Sequence, residues 1–161
     1  MKTKSTKLLR VLYITLGLSL IAVWGQSCLS KAKSTVNSDL VVGMIVPVDE
    51  MKNGTEQEFL EYDRLAALVR KIAHVVEYAA VGFQIMCILY LWDKSRLRDH
   101  ITCLYCGLTI ALIDETIQIF SSRGPLVSDL WIDLAGITVG MGAAYLIRLI
   151  VMRKKAKTVT E

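Results

Sequence analysis

Four apolar stretches of membrane-crossing length leave this chain few ways to fold. They run over residues 8–24, 72–92, 101–120 and 129–152, separated by polar segments. A helix rises about 1.5 Å per residue, so roughly twenty residues cross a hydrocarbon core of about 30 Å. The chain is 53% hydrophobic with a mean hydropathy of +0.46. That excess sits in blocks rather than in an amphipathic pattern. The fold class this predicts is an all-α integral membrane protein, a bundle of four transmembrane helices.

The first stretch follows a basic start, Lys2, Lys4, Lys7 and Arg10. A secretory signal peptide has this form. Three further spans follow, so residues 1–28 read better as an uncleaved N-terminal transmembrane helix. Lipoprotein-type processing at Cys28 fits poorly, because Gly25 stands where an aliphatic residue is expected. Residues 29–69 form an extracytoplasmic segment. Within it Leu40 to Val48 reads as a short strand or a surface-lying piece. The spacing of Phe59, Leu60, Leu65 and Leu68 predicts a helix leading into the second span. Residues 70–152 make a three-helix transmembrane domain, and 153–161 a basic tail.

Charge sets the expected orientation. Lys94, Arg96 and Arg98 lie between the second and third spans, and Arg153, Lys154, Lys155 and Lys157 follow the fourth. With the basic start, these put both termini in the cytoplasm by the positive-inside rule. The net charge of +4 is explained the same way. No aromatic–basic interleaving points to nucleic acid, so none is expected as a partner. The tail is a topology signal that touches anionic lipid. Of four cysteines only Cys28 falls near an outer loop, so no disulfide framework is expected.

Against this apolar background the polar residues stand out. The second span enters with Arg70, Lys71, His74 and Glu77. The third leaves through Asp114, Glu115 and Gln118. A turn with Arg123, Gly124 and Pro125 follows, and the fourth span opens with Ser128, Asp129 and Asp133. An acidic side chain at a span centre costs about 2.5–3.5 kcal/mol on insertion scales. The expected topology brings His74, Glu77, Asp114, Glu115 and Asp133 within about 10 Å of the outer boundary. Three helices then deliver ionisable groups to the outer leaflet. Arg70, Lys71 and Arg123 are available to neutralise carboxylates, and Arg123 to bind a phosphate bidentately. His74 beside Glu77 can move protons near neutral pH.

Three motifs taken together carry a resemblance. They are R-K-x-x-H-x-x-E-Y at Arg70 to Tyr78, D-E-x-x-Q at Asp114 to Gln118, and R-G-x-x-x-S-D-x-x-x-D-x-x-G at Arg123 to Gly136. In this order they resemble the VanZ-like family, over roughly Val69 to Arg148. The family is named for a teicoplanin-resistance protein of glycopeptide-resistant bacteria. The resemblance implies a small bacterial cell-membrane protein and, in the founding case, lowered susceptibility to teicoplanin-type lipoglycopeptides. It supplies no reaction.

Plainer readings stand beside these. The polar cluster would serve as interhelical glue, yet polar contacts in membrane bundles average only about 0.6 kcal/mol. That is small beside the insertion cost, so function is favoured. Gly136, Gly140 and Ala144, four apart, read as a close-packing stripe. Asp129 and Asp133 share that face. His100, Cys103 and Cys106 make H-x-x-C-x-x-C without a fourth ligand nearby, and read as small helix fillers. One His with carboxylates suits a divalent metal weakly when Arg and Lys compete, so no metal is expected. No cofactor is expected. Ser128 reads as a helix cap, since no glycine elbow surrounds it.

Two functions follow from different classes. In one, the outer cluster binds a lipid headgroup or a lipid-linked envelope precursor and alters how lipoglycopeptides meet their target. Arg70, Lys71, Gln118, Arg123, Ser128, Asp129 and Asp133 are its binding candidates. In the other, the protein is a membrane-embedded hydrolase or transferase. Glu115 or Asp114 is then the acid or base, with His74 and Glu77 in the relay. A transporter needs a homo-oligomer to make a pathway.

Overall fold

The computed structural model describes residues 2–28, 43, 56–92, 96–121 and 127–160. Four helices form within them: α1 (Lys2–Ser27), α2 (Glu56–Trp92), α3 (Arg96–Phe120) and α4 (Val127–Thr160). All four are long and apolar enough to cross a membrane. Apart from Gly43, the segment expected over Leu40 to Val48 lies outside the described residues. So does the turn with Arg123, Gly124 and Pro125.

The all-α class and the four spans are as the hydropathy predicts, with longer helices. Residues 56–69 are helical and run into the second span without a break, making α2 a 37-residue helix. At about 1.5 Å per residue that is roughly 55 Å, well beyond a hydrocarbon core. The continuity has a plain cause, because no glycine or proline interrupts residues 56–81.

The bundle is built around the pairing of α2 with α4, its most extensive helix contact. Small residues allow it. A Cβ on Gly136 would stand 2.7 Å from the Val75 carbonyl oxygen, and one on Gly82 2.5 Å from that of Ile137. A Cβ on Gly140 would overlap the Ala79 carbonyl. Gly136, Gly140 and the buried Ala144 therefore are a packing stripe against α2. In lipid, where no hydrophobic effect drives helices together, such close packing is one of the forces of association, beside interhelical hydrogen bonds. Tyr78, Val81, Met86 and Ile137 fill the interior beside it.

The outer surface is apolar. Ile14, Leu18, Ile21, Val76, Val139 and Leu146 are all exposed. A soluble monomer rarely shows so much contiguous apolar surface, whereas a bilayer solvates it. Trp131 and Phe120 are exposed toward one end, and Trp92 toward the other. Aromatic side chains collect at both membrane interfaces in this way.

Candidate functional site

The C-terminal end of α1, the middle of α2, the C-terminal end of α3 and the N-terminal end of α4 meet in one layer. Asp114 stands six residues before the end of α3, and Asp133 six residues after the start of α4. Both therefore lie about 9 Å inside the bundle, counted along the helix axes. Helix periodicity decides which side chains turn inward. On α3, Asp114, Glu115 and Gln118 share one face, and all three are buried. On α4, Asp133 lies on the small-residue stripe and is carried against α2 by the packing of Gly136.

Asp114 and Asp133 are both 0% exposed, so neither carboxylate has bulk water to solvate it. Burying an ionised group is tolerated only with compensating partners. Asp114 has two neutral ones. The Ser27 hydroxyl donates to its Oδ1 at 2.6 Å, and the Gln118 amide to its Oδ2 at 2.9 Å. Ser27 is itself fixed from the other side, because the Ser121 hydroxyl donates to its backbone carbonyl at 2.8 Å. Asp133 faces His74, with Nδ1 and Oδ1 3.3 Å apart. The His74 ring lies parallel to that of Tyr78, with centroids 6.3 Å apart and planes 11° from parallel.

Glu77 lies toward the rim, half-buried, where its Oε1 accepts from the Gln26 amide at 2.6 Å. Asp129, one turn nearer the start of α4, accepts from the Ser128 hydroxyl at 3.1 Å on the exposed side. The basic candidates are not gathered in. Arg70 is half-buried and Lys71 exposed, and neither makes an ion pair with a described residue. Arg123 lies outside the described residues. The centre is thus acidic, with His74 as its one potential cation among the described residues.

Three residues of this layer escape a sequence reading. Gln26 and Ser27 end α1, where two polar residues look like an ordinary exit from a span. Tyr78 closes a quoted motif, with no role assigned to it there. The only available signal was position, since Gln26 and Ser27 leave the membrane at the end where Asp114 and Asp133 lie.

At the opposite end, His100 does not join its neighbouring cysteines in a ligand set. Its ring meets Tyr145 edge-on, with centroids 5.8 Å apart. The Cys103 thiol is buried and donates to the Gly82 carbonyl at 3.5 Å. That agrees with small fillers in a helix. In the acidic layer, by contrast, His74, Asp114 and Asp133 each offer a ligand atom, all within 4.8 Å of one another.

A family model described as VanZ/LLP1 matches residues 7–148. The match extends farther toward the N-terminus than the three motifs do, and so takes in Gln26 and Ser27 with the rest of the layer. No curated protein matches the chain, and no solved structure does.

Proposed function

The chain belongs to the VanZ/LLP1 family, and from that premise we propose that its buried acidic layer binds the headgroup of a lipid or of a lipid-linked envelope precursor. Binding there lowers susceptibility to teicoplanin-type lipoglycopeptides, by changing how they meet their target. The observation that carries this reading is the burial of Asp114 and Asp133, contributed by two helices and held by groups from the other two. An acid costs up to about 2.5–3.5 kcal/mol to insert at a span centre and less toward an end, so two buried acids here still weigh against polar glue worth about 0.6 kcal/mol per contact.

Charge supports an outward-facing layer. Arg96, Arg98, Arg153, Lys154 and Lys155 fall at the other end of α3 and α4, and the basic start of α1 lies there too. The positive-inside rule assigns that end to the cytoplasm. The layer then faces the outer leaflet, where envelope precursors and antibiotic are encountered.

The test is the amount of a fluorescent teicoplanin analogue held by cells with and without the protein, beside their lipid and precursor profiles. Less or displaced analogue with unchanged profiles is the expected result. Equal binding overturns it. The pairing of His74 with Asp133 favours one alternative, a hydrolase or transferase in which this pair moves the proton and Asp114 or Glu115 acts on the substrate. That reading requires an altered lipid or precursor species in the same profiles.

A further inference from the structure

His74 and Asp133 approach each other in an uncommon way. Their Nδ1 and Oδ1 atoms are 3.3 Å apart, yet neither atom has a hydrogen-bond partner. Oδ2 of Asp133 has none either, and the residue is wholly buried. Such an approach is that of an imidazolium–carboxylate ion pair, or of two lone-pair donors that share a cation. A third donor is at hand, because an Asp114 carboxylate oxygen lies within 4.8 Å of both atoms. Hydrogen bonds from Ser27 and Gln118 hold the two oxygens of Asp114, and each oxygen keeps a further lone pair.

We infer that His74, Asp114 and Asp133 bind a divalent transition cation of the zinc class. The donor set is one imidazole nitrogen and two carboxylate oxygens, which suits such an ion. Bonds of about 2.0–2.1 Å in a tetrahedral site put neighbouring ligand atoms about 3.3 Å apart, the separation of Nδ1 and Oδ1. Two buried negative charges are neutralised by a +2 ion, which one imidazole cannot do. Ser27 and Gln118 take the outer positions that orient a ligating carboxylate. Three protein ligands leave a coordination position open. An oxygen of a headgroup phosphate fits it, so the inference deepens the binding reading of this layer. Metal binding itself is measured without lipid or lipoglycopeptide, so either idea can fail alone.

The test is titration of the detergent-purified full chain, stripped with a chelator, with Zn²⁺ alone. Co²⁺ serves in parallel as a visible-absorption probe of tetrahedral geometry. The expected result is about one equivalent of Zn²⁺ per chain, the stoichiometry of a single three-ligand site with an open fourth position. His74→Ala and Asp133→Asn lose that equivalent. Ser27→Ala weakens it about tenfold, as removal of an outer hydrogen bond to a ligand does. His100→Ala, which removes the other of the two histidines, binds as the wild type does. Circular dichroism establishes that each variant remains helical. For the unaltered protein, a rise in unfolding temperature with Zn²⁺ that EDTA reverses supports the site without any variant. Absence of Zn²⁺ binding by the helical wild type overturns the inference. So does a His74→Ala variant that binds as tightly as the wild type.

Discussion

The Ser27 hydroxyl donates to Asp114 Oδ1 at 2.6 Å across 87 residues of sequence. This one bond ties the end of α1 to the buried carboxylate of α3. It makes the first helix part of the acidic layer rather than an anchor beside it.

Ser27→Ala therefore leaves a buried carboxylate one donor short. The expected loss of stability is about 1–3 kcal/mol, the range for unsatisfying a buried group. Reversible unfolding in mixed detergent micelles measures it. An unchanged midpoint would mean that α1 does not hold Asp114.

Gly140→Ala and Gly142→Ala form a matched pair on α4. At Gly140 the added Cβ overlaps the Ala79 carbonyl of α2, whereas at Gly142 nothing lies within 4 Å. Overpacking predicts a loss of about 1–3 kcal/mol for the first. Helix propensity predicts a gain of up to about 1 kcal/mol for the second. The same unfolding measurement compares them, and equal effects would contradict the α2–α4 packing described above.

Much of this architecture is legible in the chain itself. Apolar length marks the four helices, and alternation of direction then sends the ends holding His74, Asp114 and Asp133 to one layer. What is not legible is the partnering inside that layer. Sequence spacing pairs His74 with Glu77 on one helix, but the α2–α4 packing aims His74 at Asp133 and leaves Glu77 to Gln26. Ser27 is invisible for a similar reason, because its role depends on where α1 docks. The expected neutralisation of the acids by Arg70 and Lys71 has no counterpart in their described contacts. Arg70 is half-buried and Lys71 exposed.

Orientation is open to direct measurement through the cysteines. Cys28 is exposed at the layer's end of the bundle, while Cys103 is buried. A membrane-impermeant maleimide should label Cys28 in intact cells and leave Cys103 unmodified. Labelling of Cys28 only after permeabilisation would place the layer on the cytoplasmic side.

Glu115→Gln probes a neighbour of Asp114 that is 9% exposed. The amide keeps the size and removes the charge. If the layer works through its ionised groups, this variant accumulates in the membrane normally yet protects cells less against teicoplanin than the wild type. Full protection would remove Glu115 from the site and leave it a packing role.

Asp114→Asn is the most direct test, because Asp114 is fully buried and touched by both Ser27 and Gln118. The measurement is the teicoplanin susceptibility of a sensitive Gram-positive host that expresses wild type or variant at matched membrane levels. A functional acidic layer predicts that the wild type lowers susceptibility and that Asp114→Asn returns it to that of the host alone. Equal protection by both proteins would contradict a functional role for the layer and reduce its carboxylates to contacts between helices.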